Sequence, residues 1–475
     1  MAGKHKDDPP IPHEPYHDDE QERPNQSEEE EAVVNTTDIR NRGQPIYLPA
    51  DEDDENRGWR FRHASAGQTT LSHYFAKLTD HLSGWHLPER HRRLTICLSS
   101  FAVLLVSFVL FCAVFFSPAT YPDPVFPDKV LPVNGTARFL TLNIFMRPPL
   151  IRNNWSDYKD DRLAYIERYI LPEYDVVCFQ ESFAFASRRK DRLITSARLM
   201  GYNHHVESPR KYPWNIGVDG GLLILSRFPI HEASVVEYPR GQHSDWLSIK
   251  GALHALLELN PERQLHLYTT HTQASYDLNN VINKDDTATR LSQFALLHNF
   301  MYDTAKDDGA PIMVVGDLNV DAAIHGKDIP VTRPSKESSP EYTQMVKVIN
   351  GQGVKQSDGT WFEHPWKLND MVDVPYAKYQ FHPVTFGDYR VNDQGELIPA
   401  ETVLTNSDVL MTVQSIDRIF WSDRATNVMQ LSHPKVEKFW VEENEKMTKE
   451  EREQARFTQI SDHYGLSCNI QMFSS

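Results

Sequence analysis

The sequence predicts a layered α/β domain over residues 137–475, carried behind one membrane-spanning helix and an acidic N-terminal tail. Three observations predict it. From residue 137 onward, apolar runs of strand length alternate with segments of helical spacing, the pattern of sheets covered by helices. The stretch "TICLSSFAVLLVSFVLFCAVFF", Thr95 to Phe116, carries no charge and is long enough to cross a hydrocarbon core of about 30 Å. Residues 1–58 hold seventeen Asp and Glu against six Lys and Arg, with frequent prolines and few aromatics. Such a composition cannot bury a core, so it reads as disordered tail.

The elements follow in order. Residues 1–94 form a cytosolic tail in which Leu71, Tyr74, Phe75, Leu78, Leu82 and Trp85 recur at helical spacing over 71–87, as in a juxtamembrane amphipathic helix or a short solvated one. The span occupies 95–117. Arg90, Arg92 and Arg93 precede it and "SPATYPDPVFPDK" follows, so the positive-inside rule puts the N-terminus in the cytosol and the large domain on the lumenal or extracellular side. Asn134 and Asn154 stand in glycan-acceptor tripeptides on that side. An extended linker covers 118–136. The domain strands are "RFLTLNIF", "YDVVCFQE", "GGLLILS", "KGALHALLEL", "QLHLYTTH", "PIMVVGD", "QSIDRIFW" and "LSCNIQM". Helices are expected around Leu291–Met301, from Asp161 to Leu171 and from Ser187 to Met200. Residues 325–340 and 351–410 read as long loops, and "VEENEKMTKEEREQARF" as a charged helical insertion projecting from the surface. The four cysteines show neither a disulfide framework nor zinc spacing.

The ends of the strands share one peculiarity. Apolar runs stop on Asn143, on Gln180 and Glu181, on His271, on Asp317 and Asn319, on Asp417, and on Asp462 and His463. One polar strand end is trivial, but a set drawn from the residue types that bind hard cations and move protons is a constellation. Oxygen donors such as Glu181, Asn143 and Asp462 suit Mg²⁺, with Mn²⁺ as a substitute, better than zinc. Two histidines on different strands suit base and acid in an in-line displacement.

In order and spacing, "LTLNI", "CFQE", "THTQA", "GDLN", "SIDRI" and "SDH" resemble the endonuclease/exonuclease/phosphatase superfamily from about residue 137 to 472. Within it, "THTQA", "GQHSDWLSIKGALHALLEL" and "HPVTFGDY" resemble neutral sphingomyelinases, phospholipases C acting on choline sphingolipids. The resemblance implies a four-layer α/β/β/α sandwich of the DNase I type. It also implies Mg²⁺-dependent hydrolysis of sphingomyelin, a membrane lipid, to ceramide and phosphocholine. Carried over by position, Glu181 is the principal metal ligand with Asn143 and Asp462 nearby, and Asn143 completes the shell or touches phosphate. His463 takes the proton from the attacking water and Asp417 orients it. His271 contacts the phosphoryl oxygen or protonates the leaving alkoxide. Asp317 positions water or the leaving-group proton, and Asn319 donates to the phosphoryl oxygens. Arg418 stands where the family often has Tyr.

Two other classes compete, a membrane-anchored nuclease on the same scaffold and a non-catalytic membrane-anchored binding protein. Inositol polyphosphate phosphatases are disfavoured because "GDLNVDA" and "QSIDR" lack their arginine-bearing signatures. Taking the tail's −11 and the +4 of residues 59–117 from the chain's −17 leaves −10 for residues 118–475, a poor start for gripping a nucleic-acid polyanion. A fully retained set of catalytic side chains argues against a dead site. Asp321, His325, His204 and His205 read as turn and surface residues, and Asp157, Asp160 and Asp161 as the acidic start of a helix.

Overall fold

The computed structural model describes residues 89–475 apart from 118, 216, 277–282, 326–334, 356–358, 408–409 and 474–475. The acidic tail and the segment 71–87 lie outside the described residues. The apolar stretch is helix α1 (Glu89–Phe116), whose portion His91–Phe116 is long and apolar enough to cross a membrane and presents its side chains outward. The linker after it is extended as expected, but it is packed down. Arg198 Nε donates to Pro122 O (2.8 Å), Asn203 Nδ2 to Phe126 O (2.9 Å), Lys129 N to Arg227 O (2.8 Å) and Leu131 N to Leu259 O (2.7 Å).

All eight expected strands form: β1 (Thr136–Met146), β2 (Val176–Ser182), β4 (Leu223–Ser226), β6 (Gly251–Asn260), β7 (Arg263–His271), β8 (Ile312–Asp317), β10 (Asp417–Ser422) and β12 (Gly465–Met472). Four more were not legible: β3 (His204–Glu207), β5 (Ile230–Glu237), β9 (Val372–Asp373) and β11 (Met429–Glu437). These four are the edges of two six-stranded sheets, ordered β11-β12-β1-β2-β4-β3 and β9-β10-β8-β7-β6-β5. An edge strand needs no continuous apolar run, and β5 and β11 are largely half-buried or exposed. The pairs β1/β2 and β7/β8 are parallel, and the other neighbours are antiparallel.

One core unites the inner faces of both sheets, with Phe139, Cys178, Ile224 and Ile470 meeting Leu253, Leu267, Val315 and Ile419. The alternate residues face outward. Leu140, Leu142 and Phe179 pack on helices α2 (Lys159–Tyr165) and α3 (Arg189–Leu199). On the other side, Tyr268, Val314 and Phe420 pack on α4 (Lys284–Ala305) and α5 (Pro340–Ile349). The core compositions thus run helix, sheet, sheet, helix, the period of two sending successive residues of one strand to different layers.

Several expectations are corrected. The region Asp161–Leu171 is helical throughout as expected, but its winding changes, α to Tyr165, π over Ile166–Ile170 and 3₁₀ from Leu171. Of the charged insertion only Lys449–Gln454 is helical, started by a Thr448/Glu451 capping box, and the segment does not project. Lys446 pairs with Glu173 (2.6 Å), Glu451 with Arg168 (2.7 Å), and Val441 and Phe457 are buried, because its apolar residues have a helix to cover. The 351–410 region contains a short helix, Val374–Tyr379, and small strand pairs. Asn134 is exposed in a turn, whereas the Asn154 amide donates to Val403 O (2.6 Å) and Thr405 O (3.1 Å), bonds a glycan would break.

Candidate active site

The inner face of the sandwich turns from apolar to polar at one end. On β7 the inward positions run Leu265, Leu267, Thr269, His271; on β8 Met313, Val315, Asp317; on β10, read backwards, Trp421, Ile419, Asp417. Registry then does the assembly. His271 is the direct partner of Asp317, and Asp317 of Asp417, so three chemically active residues form one row across three strands. From the facing sheet Asn143 enters on β1, below the buried bridge in which Gln180 Nε2 donates to Thr141 Oγ1 (3.1 Å) and Thr269 Oγ1 (2.9 Å). All eight residues given site roles from the sequence lie at this end.

His463 Nδ1 is 2.9 Å from Asp417 Oδ2, and its Nε2 is 3.7 Å from Asp317 Oδ2. The Asp417 end is itself held, since Thr385 Oγ1 accepts the N–H groups of Ile416 and Asp417 (3.0 Å each). The Phe386 ring packs on the imidazole with centroids 5.0 Å apart. Burial opposes charge on His463, but Asp417 and Asp317 outweigh it and push its pKa up to about 10. Asp317 is pushed the same way, to about 7, by burial and by the neighbouring Asp417. Asp317, Asp417 and His463 offer ligand atoms within 4.8 Å of one another. The His463–Asp417 hydrogen bond already uses that grouping, so we assign it to proton transfer rather than to a cation.

The cation-binding candidates lie beside it. Asp462 is fully buried, and burial followed by the nearby Glu181 and Glu401 raises its carboxyl to about 6, with His463 and Arg147 opposing. Buried carboxylates that repel one another are what a hard cation relieves, so the donor set Glu181 and Asp462 fits Mg²⁺. Glu181 adopts φ +53, a left-handed conformation unusual for Glu, which turns its side chain out of the strand's alternation. Gly221 allows this close approach, because a Cβ there would lie 3.1 Å from Glu181 Cα and 2.9 Å from the Phe183 ring. Asn143 is engaged on both ends of its carboxamide. Its Oδ1 accepts the Phe145 N–H (3.0 Å), so its amide nitrogen faces Glu181 (3.3 Å) and Asp317 (3.0 Å). Each amide hydrogen thus serves one carboxylate, so Asn143 donates to a phosphate by giving up one of them, while Oδ1 keeps a second lone pair.

Of the two roles expected for His271, its surroundings favour contact with the phosphoryl oxygen. Its Nε2 lies 3.1 Å from Lys250 Nζ and 3.4 Å from Asp317 Oδ2, and its buried Nδ1 has no protein partner. Burial, Lys250 and His463 all hold its pKa well below the ordinary value, so it stays neutral. With Nε2 accepting from the ammonium, Nδ1 carries the hydrogen. Lys250 was not singled out in the sequence, although a lysine opening the apolar run "KGALHALLEL" was the signal. It is buried, donates to Thr272 O (2.6 Å) and pairs with Asp245 (2.8 Å). Lys250→Met is therefore expected to cost at least about tenfold in turnover, the scale of one hydrogen bond to a charged group. It should also raise the pKa of His271, seen as a changed pH–rate profile, with Lys250→Arg recovering part of the loss. A profile unchanged in Lys250→Met would refute this role.

Asn319 does not continue β8, which ends at Asp317. It turns left-handed (φ +51), donates its N–H to Asp317 Oδ1 (3.0 Å) and one amide hydrogen to Thr272 O (3.0 Å), leaving a second hydrogen for a ligand. Arg162, also unforeseen, is fully buried and ties Ile144 O, Phe145 O and Ile460 O together, joining the end of β1 to the loop that carries Asp462 and His463. Arg418 is buried against the Tyr342 ring and Ser415, behind the site. Asp321 and His325 pair with each other (2.7 Å), with Asp321 also capping Ser415 N (3.0 Å). A cavity of about 700 Å³ beside β11, lined by Arg138, Tyr169, Lys438 and Trp440, includes none of the candidate residues.

The model of the Endonuclease/Exonuclease/phosphatase family matches residues 140–463. A sphingomyelinase of Dictyostelium discoideum is 28% identical over 403 residues, covering 75% of this chain and 84% of its own. Sphingomyelinase C of Bacillus cereus is 24% identical over 283 residues, 56% of this chain and 78% of its own. Among solved structures, a beta toxin of Staphylococcus aureus covers 70% of this chain and 99% of its own at 20% identity and a TM-score of 0.44.

Proposed function

The chain belongs to the endonuclease/exonuclease/phosphatase family, and from that premise we propose that it is a membrane-anchored sphingomyelin phosphodiesterase. It would use Mg²⁺ to release phosphocholine and leave ceramide. The observation that supports the substrate class most is the similarity to a named sphingomyelinase along 75% of the chain. The reaction is a displacement at phosphorus. His463, oriented by Asp417, takes the proton of the attacking water. Asn143, Asn319 and the Nδ1–H of neutral His271 donate to the phosphoryl oxygens as charge builds. The bond from phosphorus to the ceramide oxygen breaks, and Asp317, whose proton affinity burial and Asp417 raise, hands a proton to the departing oxygen. Glu181 and Asp462 would hold the Mg²⁺, whose contribution is to offset charge on the phosphate.

The test is the purified full chain with Mg²⁺ in mixed detergent micelles, assayed on a lipid panel, plasmid and oligonucleotide. Phosphocholine release from sphingomyelin with nucleic acid uncut is the expected result. DNA cleavage of comparable efficiency, abolished in His463→Ala, would replace the lipid reading with a nuclease. We also propose the domain division drawn from the sequence, with α1 as a single bilayer span, its N-terminus cytosolic and the catalytic domain lumenal or extracellular. Protease added to sealed microsomes should then trim about the first 90 residues, those ahead of the positive-inside flank, and spare the rest. Digestion of the large domain instead would invert the topology.

A further inference from the structure

We propose that the active-site end of the catalytic domain is seated in the headgroup zone of the same bilayer that α1 crosses. Trp214, Trp246, Leu247, Trp155 and Leu150 are immersed there, and substrate is taken in cis. This rests on reading α1 as a bilayer span.

Four observations carry it. The end of α1 is fastened to the catalytic domain: Arg188 donates from Nε to Val114 O (2.8 Å) and from Nη1 to Ser117 O (3.0 Å), carbonyls that a helix end leaves unpaired. Arg188 belongs to the loop that follows Glu181 directly. The same junction is aromatic. The Phe116 ring lies 5.3 Å from Phe185 and 4.7 Å from Tyr212, and Tyr212 also reaches Phe108 at 6.5 Å. Phe108 and Phe116 are about 12 Å apart along the helix, so the Tyr212 loop lies beside its last two turns. At about 1.5 Å per residue the 26 residues His91–Phe116 reach ~39 Å, roughly 9 Å more than the hydrocarbon core. That loop therefore sits at the membrane boundary, where Tyr and Trp are favoured.

Three of the four exposed tryptophans among the described residues are at this end, with Leu150 and Leu247 beside them. Trp214 is 93% exposed, Leu150 95%, Trp155 84%, and Trp246 and Leu247 51% each. Leu150 and Trp155 follow β1, which bears Asn143; Trp214 lies on the loop into β4, whose Gly221 abuts Glu181; and Trp246 and Leu247 precede β6, whose Gly251 is the register partner of His271. Val218 N donates to Leu247 O (2.8 Å) and Arg240 bridges Asn215 Oδ1 and Trp246 O, so the Trp214 and Trp246 loops form one platform. Among the described residues, Trp361 is the one strongly exposed tryptophan elsewhere, on a short strand pair next to α5.

The linker supplies the orientation. Left free, residues 118–131 could hold the domain ~45 Å from the membrane at about 3.3 Å per residue. Instead its hydrogen bonds to Arg198, Asn203, Arg227 and Leu259 strap it along the domain, so that β1 begins at the far end and the active-site end stays beside α1.

The experiment places a nitroxide on full-length protein in phosphatidylcholine vesicles, at Trp214→Cys, Trp246→Cys or Trp361→Cys, with Cys97 and Cys112 changed to Ala. Labels at 214 and 246 are expected to relax with dissolved oxygen and resist a water-soluble nickel chelate, and the label at 361 to do the reverse. Equal nickel access at all three positions would overturn the proposal. In a second arm, sphingomyelin in the enzyme's own vesicles should be hydrolysed at least about tenfold faster than sphingomyelin in separate vesicles, a gain in effective concentration. Equal rates would overturn the cis mode. If no arm hydrolyses lipid while 214 and 246 are immersed, the substrate reading fails and the membrane seat stands.

Discussion

His463→Ala is expected to lower turnover of sphingomyelin by about 10³- to 10⁴-fold, the contribution of a positioned general base. The reason is geometric: among the described residues, no other imidazole is hydrogen-bonded to a carboxylate on the inner rim as His463 is to Asp417 at 2.9 Å. Asp417→Asn should cost somewhat less, within about 10²- to 10⁴-fold, because the imidazole remains while its tautomer and charge lose support. It should also move the profile. Asp417 is the largest of the influences raising the His463 pKa, so replacing it lets the imidazole lose its proton at lower pH. The ascending limb of turnover against pH should therefore shift toward acid in Asp417→Asn and stay put in a remote control. Phosphocholine release over a pH series, with circular dichroism to certify folding, measures both effects. Wild-type turnover in folded His463→Ala would remove His463 from the mechanism.

Glu181→Gln is expected to be nearly as damaging, and chelator should do the same to the unaltered enzyme, reversibly on return of Mg²⁺ or Mn²⁺. Glutamine keeps the shape that the left-handed backbone at 181 demands and removes only the charge. A loss therefore reports cation binding, not misfolding. Direct titration of Mg²⁺ by calorimetry should show weaker binding in Glu181→Gln, and in Asp462→Asn as well. The latter removes the buried carboxylate whose proton affinity is raised by burial and by Glu181 and Glu401. Full turnover of the unaltered enzyme in chelator would sink the metal assignment.

The sequence by itself determined the central strands, the apolar helix and the identity of the rim residues. Central strands of a two-sheet sandwich are buried on both faces, so they are written as apolar runs. Where such a run stops on Asn143, His271 or Asp317, the polar residue cannot be part of the core it interrupts. The four edge strands were hidden for the complementary reason, since a strand with one free side tolerates polar residues throughout. Tertiary structure alone decided the orientation and protonation of the rim. Asn143 turns its amide nitrogen to the carboxylates because Phe145 N–H, fixed by the backbone, claims its oxygen. His271 stays neutral because it is buried and because Lys250, across a strand pair, donates to it. The same holds for the linker: its residues permit an extended tether, and only the carbonyls and side chains along the domain flank turn it into a strap. Hydrogen-bond partners far apart in the chain carry no signature in local periodicity; they exist once the registers of β6, β7, β8 and β10 bring them within 3 or 4 Å.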